Sequence, residues 1–220
     1  MPFPVFEKSE RHPLSDDRLL TKREVSNQLD TDDTNPRKLF GSGMLPEPTP
    51  ISSLRPFLGR EYLRVSAGEL TVLRTDQRVL SEVRYPRDPR KWIGFHVDHT
   101  DQELSESSLR WWRSDPEKVV DNQLFVVTVA EFPVALYMID RLIETMTRDH
   151  ENRPRHHYSG HLLARVHPGM SLRFAADIPA GLSDTATQVM SSRIKVSSGG
   201  PIGYLRPTGS RVPSENSEHD

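Results

Sequence analysis

The densest set of groups able to bind a metal or move a proton is Phe95-His96-Val97-Asp98-His99. In extended conformation His96 and Asp98 share one face, roughly 7 Å apart along the strand. Neutral imidazole and carboxylate are both metal ligands, and a His–carboxylate pair also does acid–base work. A metal-dependent enzyme of hydrolase type could be built on His96, Asp98 and His99, with His156, His157 or His161 closing the ligand set. Against it, there is no His-Glu-x-x-His and no second His-rich block at a known zinc interval. The plainer account is a polar strand end at which Asp98 or Thr100 caps the following helix.

Three further stretches carry binding chemistry. Arg153-Pro-Arg-His-His-Tyr-Ser-Gly-His161 mixes cations, rings and imidazoles, a composition that suits phosphate or single-stranded nucleic acid through charge and stacking. Arg155, His156 and His157 are its candidate contacts; the competing account is a solvated linker. Arg110-Trp111-Trp112-Arg113 combines the two residue types most enriched at interfaces. On a helix, adjacent residues diverge by about 100°, so one Trp belongs to the core and the other to the surface. Ser197-Ser-Gly-Gly-Pro-Ile-Gly203 is a Gly-rich turn able to cradle phosphate with backbone amides. It lacks the Lys-Ser/Thr of a P-loop and reads more simply as a plain turn before the C-terminal tail.

Charge is unevenly distributed. Residues 55–91 hold nine Lys or Arg against five Asp or Glu, whereas 98–144 hold ten acidic residues against four basic. A basic sheet half, with Arg87, Arg90 and Lys91 in its loop, suits a phosphate backbone; it equally suits neutralisation of the acidic half or packing on a twin subunit. The whole chain, at net charge −2, announces neither nucleic acid nor an anionic membrane. Cysteine is absent, which excludes disulfides, Cys-based zinc and iron–sulfur sites and a thiol nucleophile. No Ser stands in a Gly-x-Ser-x-Gly context. No signal-peptide core and no run of about 20 apolar residues is found, so a soluble, cytoplasmic protein without membrane contact is expected.

The elements that must position these groups centre on residues 92–146, where apolar residues are densest. Hydrophobic residues make up 35% of the 220, below the usual ~45–50%, which fits an ordered centre diluted by polar ends. Residues 1–50, with seven of the 18 prolines, read as a flexible arm, relieved by a short helix over 15–29 capped by Ser15. Residues 61–66, 69–74, 78–85 and 92–97 read as four strands of an antiparallel meander. Thr100-x-x-Glu103 is a capping-box signature for a helix reaching Arg113, and Asp115-Pro116-Glu117 starts another. Leu124–Ala130 is an apolar, β-branched strand. Ala135, Met138, Ile139, Leu142, Ile143 and Met146 recur with helical period, predicting a helix over 133–147. A polar loop at 149–157, strands at 161–167, 171–175 and 193–197, a helix at 183–190 and a tail from 206 complete the chain.

The expected fold is therefore α+β: one domain over 51–205, a mainly antiparallel sheet with one principal amphipathic helix (133–147) packed on it, and disordered arms at 1–50 and 206–220. The expected function is a non-enzymatic binding or regulatory module contacting a protein or nucleic acid. The alternatives are the metal-dependent enzyme and a structural subunit of a homo-oligomer tied together by its arms. The sequence assigns no cofactor.

Overall fold

The computed structural model describes residues 17–81, 88, 90–147, 151–197 and 199–207. In chain order the elements are β1 (Leu19–Leu20), α1 (Lys22–Leu29), α2 (Asn35–Gly41), β2 (Thr49–Pro50), β3 (Leu70–Thr75), β4 (Val79–Leu80), β5 (Trp92–Ile93), α3 (Asp101–Leu109) and β6 (Arg110–Trp112). There follow α4 (Pro116–Asn122), β7 (Leu124–Val129), β8 (Phe132–Met146), β9 (Arg155–His167), β10 (Ser171–Phe174), α5 (Ser183–Met190) and β11 (Ile202–Leu205). The class is α+β. Among the described residues there are five helices and a curled sheet in the order β10-β9-β8-β7-β3-β11, with β6 pairing on β9. The sheet is mixed: β3 runs parallel to β7, and the other neighbours are antiparallel.

Local signals produced the helices they announced. Thr100 accepts from the Glu103 amide, and the Glu103 carboxylate accepts from the Thr100 amide in return, so α3 starts on a full capping box. Asp115 accepts from the Lys118 amide at 3.2 Å, with Pro116 in the first turn of α4. β7 lies where its apolar, β-branched content placed it, and α5 covers the helix expected over 183–190.

The expected helix over 133–147 is instead strand β8, the longest in the sheet. Val129 and Phe132 pair across a two-residue turn, Ala130-Glu131, in which both residues take positive φ (50° and 73°). That is the backbone of a primed hairpin turn, which Asn-Gly or Asp-Gly usually signals; Ala-Glu carries no such signal. The strand does not alternate, for two reasons. Phe132 to Tyr137 are all buried, because this half is paired on both edges and covered, with α4 and α5 packed against it. Residues 140–145 are all exposed, because there β8 has left β7 and pairs only with β9. Without a period of two, the accidental period of 3.6 prevailed. Three register shifts bend the β8–β9 ribbon. Gly160 of β9 lies at one of them, where a Cβ would come 2.7 Å from the Met138 carbonyl oxygen.

The antiparallel meander over 61–97 is also corrected. β3 is an inner strand between β7 and β11, with Val72 and Leu73 fully buried. Its partners come from far along the chain. β4 and β5 form a separate two-stranded ribbon; residues 61–66 contribute one isolated bridge, Tyr62 to Arg193, and 193–197 form no strand. Residues 82–87, which include the second half of the expected third strand, lie outside the described residues, and its first half holds β4. Arg110–Trp112 is strand β6 rather than the end of a helix, and Arg155–His157, expected in a loop, opens β9.

Residues 17–50, expected as an arm, are packed on the rest. Leu20, Val25, Leu29, Leu39, Met44 and Leu45 are each at most 5% exposed and join the main core. The cap of α1 is Thr21 in a capping box with Glu24; Ser15 lies outside the described residues, as do residues 1–16 and 208–220. One side chain pins this segment. Arg193, 7% exposed, donates to the carbonyls of Leu29 (3.0 Å) and Asp30 (3.3 Å) and to the Glu131 carboxylate (2.6 Å). Its guanidinium stacks on Tyr62 and Phe132.

Glu131→Gln is expected to destabilise the fold by about 3 kcal/mol, the lower end for breaking a buried pair because Glu131 keeps some contact with water. Urea denaturation checks this; an unchanged midpoint would show that the pair does not hold the hairpin turn.

Candidate functional site

The residues singled out in the sequence fall into three groups in space. In the first, His96 Nδ1 accepts from the Asp98 amide at 3.2 Å and lies 3.4 Å from the Asp98 carboxylate. His99 turns the other way, into the core, at 3% exposure with its ring edge-on to Phe95. Neither of its ring nitrogens makes a hydrogen bond. Among the described residues no three His, Asp or Glu side chains are arranged to hold a metal ion. The two His clusters are not brought together. Arg165, near the C-terminal end of β9, donates to the Val97 carbonyl within the first cluster, whereas His156 and His157, at the N-terminal end of β9, pair with Trp112 and Arg110. His161 pairs with Asp140 at 3.3 Å.

The second group braces β6 from behind. Arg90 and Asp88 form a buried ion pair, each side chain 3% exposed, joined by three hydrogen bonds at 2.6–3.0 Å. Arg90 also donates to the Arg110 carbonyl at 2.8 Å, tying this segment to β6. Trp111 is 2% exposed, adopts φ +62°, and packs on His157 with ring centres 5.6 Å apart. A left-handed backbone at a bulky aromatic costs on the order of 1–3 kcal/mol and persists only where its surroundings impose it. Here it falls at the register shift of the β6–β9 pairing, where Arg110 and Trp112 pair with the adjacent His157 and His156: Trp111 is buried, Trp112 is part-exposed and Arg113, just past the strand, is exposed. His156, 4% exposed, bonds Thr145 at 3.0 Å. Arg90, Trp111 and His156 are therefore buried in the scaffold. Lys91 is exposed, with its ammonium over the Trp92 ring at 5.0 Å. Arg87 lies outside the described residues.

The third group lines two adjoining clefts. The first cleft, about 670 Å³, is walled by Arg113, Ser114, Arg153, Pro154 and Arg155 on one side and by Gly199, Gly200, Pro201 and Ile202 on the other. Three stretches read separately in the sequence thus meet: the end of Arg110–Arg113, the start of Arg153–His161, and the Gly-rich turn. Arg155 holds Glu151 through two bonds at 2.7 and 2.8 Å and donates to the Trp111 carbonyl, and Arg113 reaches the same carboxylate at 3.3 Å. The hydrogen bond from Arg155 first, and then Arg113, hold the Glu151 carboxyl down at about 2. Arg153 is exposed at the rim.

The second cleft, about 620 Å³, shares Pro201 with the first. Trp112, Val79, Ile93 and Pro201 give it apolar walls, and Lys22, Arg37, Lys38 and Arg74 give it a basic rim. Arg74 donates to the Gly200 carbonyl, so the two clefts meet there. Lys38 pairs with Asp76 at 2.7 Å. Among the described residues, seven Lys and Arg thus line the pair of clefts, with Asp76 in the lining and Glu151 behind it. The four cations of the second cleft could not have been found from the sequence. They come from α1, α2 and β3, and three of the four sit in the segment read as a flexible arm.

Burial pushes His99 down to about 4, and burial with Arg110 and Arg90 does the same for His157. Both are neutral in the fold until about pH 4, whereas an unfolded histidine charges near its ordinary 6.5. Between those values the unfolded chain binds more protons at these two sites, so their contribution to stability falls as pH drops from about 6.5 to about 4 and is constant below, where loss of the Glu151 ion pairs takes over. Thermal melts across that window are expected to show the loss, and His99→Leu, which removes an unsatisfied buried group of similar size, is expected to shrink it. A flat profile in the wild type would contradict the burial of both rings. Comparison with protein-family models, curated proteins and solved structures found no match to this chain.

Proposed function

We propose that this protein is a binding module for nucleic acid, held through its phosphates by the paired basic clefts. The observation that carries the reading is the convergence of seven Lys and Arg, from α1, α2, β3, the start of β9 and the segments next to β6 and β9, on two adjoining clefts whose described lining and backing hold two carboxylates, Asp76 and Glu151, beside a Gly-Gly-Pro turn. Such an excess is costly in self-repulsion unless an anion offsets it. Arginine suits phosphate through its planar fork of donors. Arg155 opens β9 and Arg113 follows β6, and both are held by Glu151, so these two guanidinium groups are placed before a ligand arrives. The volume of the clefts exceeds what a lone phosphate needs, which favours a polymer or a substituted phosphate over the free ion.

The test is binding of a labelled oligonucleotide, measured by fluorescence anisotropy between about 50 and 200 mM salt. The logarithm of affinity is expected to fall linearly with the logarithm of salt concentration. Replacing Arg37, Arg113 and Arg153 together by Ala is expected to weaken binding more than tenfold at low salt and to reduce the slope by about 2, at about 0.7 per phosphate contact on a single strand. Salt-independent binding, no binding, or a triple variant that binds as the wild type does would overturn the proposal.

A further inference from the structure

We infer that the second cleft takes an unpaired base stacked on Trp112, so that the ligand is single-stranded rather than duplex. This rests on the phosphate reading of the first cleft and adds to it a base site with its own chemistry. The two clefts differ in kind. The first is polar, with guanidinium groups facing a backbone turn. The second has Trp112, Ile93, Val79 and Pro201 as its walls, with Thr75 and Gln77 as polar groups among them. An apolar floor beside a cationic cleft matches the two halves of a nucleotide, a flat ring and a phosphate.

Trp112 is built as a platform. Its Nε1 donates to the Ser108 carbonyl at 2.7 Å, which fixes the ring orientation, and its ring is half-buried. Its chain neighbour Arg113 lines the first cleft. Phosphate and base contacts are thus one residue apart on the chain, about 3.8 Å between Cα atoms. The left-handed backbone at Trp111 marks the bulge from which Trp112 and Arg113 follow, part-exposed and exposed. A base within a duplex is stacked on both faces and cannot enter a concave site of this kind without being extruded. An unpaired base offers its face directly, and stacking on an aromatic ring tolerates any base.

Three probes of about 12 nucleotides separate the possibilities: oligothymidylate, the same backbone without bases, and a duplex of equal length. At one salt concentration, oligothymidylate is expected to bind about 10-fold tighter than the abasic strand or the duplex, and to quench tryptophan fluorescence. Trp112→Leu is expected to abolish that preference while leaving the salt slope unchanged; Trp112→Phe, which keeps a ring, is expected to retain most of it. Melting curves of both variants verify folding, and the comparison of probes on the wild-type protein needs neither variant. Equal binding of the three probes, or a preference that survives Trp112→Leu, overturns the base site and leaves the phosphate reading standing. Failure of all three probes to bind overturns both.

Discussion

The contact on which most of this architecture depends is the buried ion pair between Arg193 and Glu131. Glu131 sits in a two-residue turn whose residues both take positive φ, a backbone that Ala and Glu disfavour. The guanidinium of Arg193, together with the Tyr62 hydroxyl at 3.0 Å, holds the Glu131 side chain and so offsets that cost. The same guanidinium closes on the carbonyls of Leu29 and Asp30, at the C-terminal end of α1. One side chain therefore fixes both the β7–β8 hairpin and the seat of the N-terminal helices. Lys22, Arg37 and Lys38 reach the second cleft because those helices are seated there.

A comparable division between scaffold and surface governs β6. The Arg90–Asp88 pair and the Trp111–His157 contact hold the strand from its buried side. Breaking such a buried pair on one side would leave an uncompensated charge, which is why it constrains geometry more than it adds net stability. With the back of the strand fixed, Trp112 and Arg113 are presented in a set arrangement. Residues with the most suggestive chemistry in the sequence, Arg90, Trp111, His156 and His99, serve as packing and bracing, while the plainer Arg74, Arg153 and Lys22 line the clefts.

How far the sequence could be read follows the range of the forces involved. A capping box acts across three residues, and a Pro in the first helical turn acts on its own φ, so α3 and α4 were legible before any fold was known. Strand β8 was not, since a strand covered on both faces at one end and bare on both at the other has no alternation to detect. The N-terminal segment looked too polar and proline-rich to order by itself. Leu20, Val25, Leu29 and Leu39 are buried as part of one core shared with distant strands. At the site, the sequence singled out Trp112, Arg113, Arg155 and the Gly-rich turn as separate features, and nothing local joined them.

By itself the sequence determined the α+β class, the absence of any cysteine chemistry, the helices with their caps and the central strand β7. Each of these depends on composition or on interactions within one turn or one strand. Tertiary structure alone decided that residues 132–146 are a strand, that β3 lies parallel to β7, that residues 17–50 pack on the core, and that seven cations line two adjoining clefts. These outcomes depend on which distant segments share a boundary. Pairing across 50 or more residues is selected by the total burial of the whole chain, and no short window of sequence contains that sum.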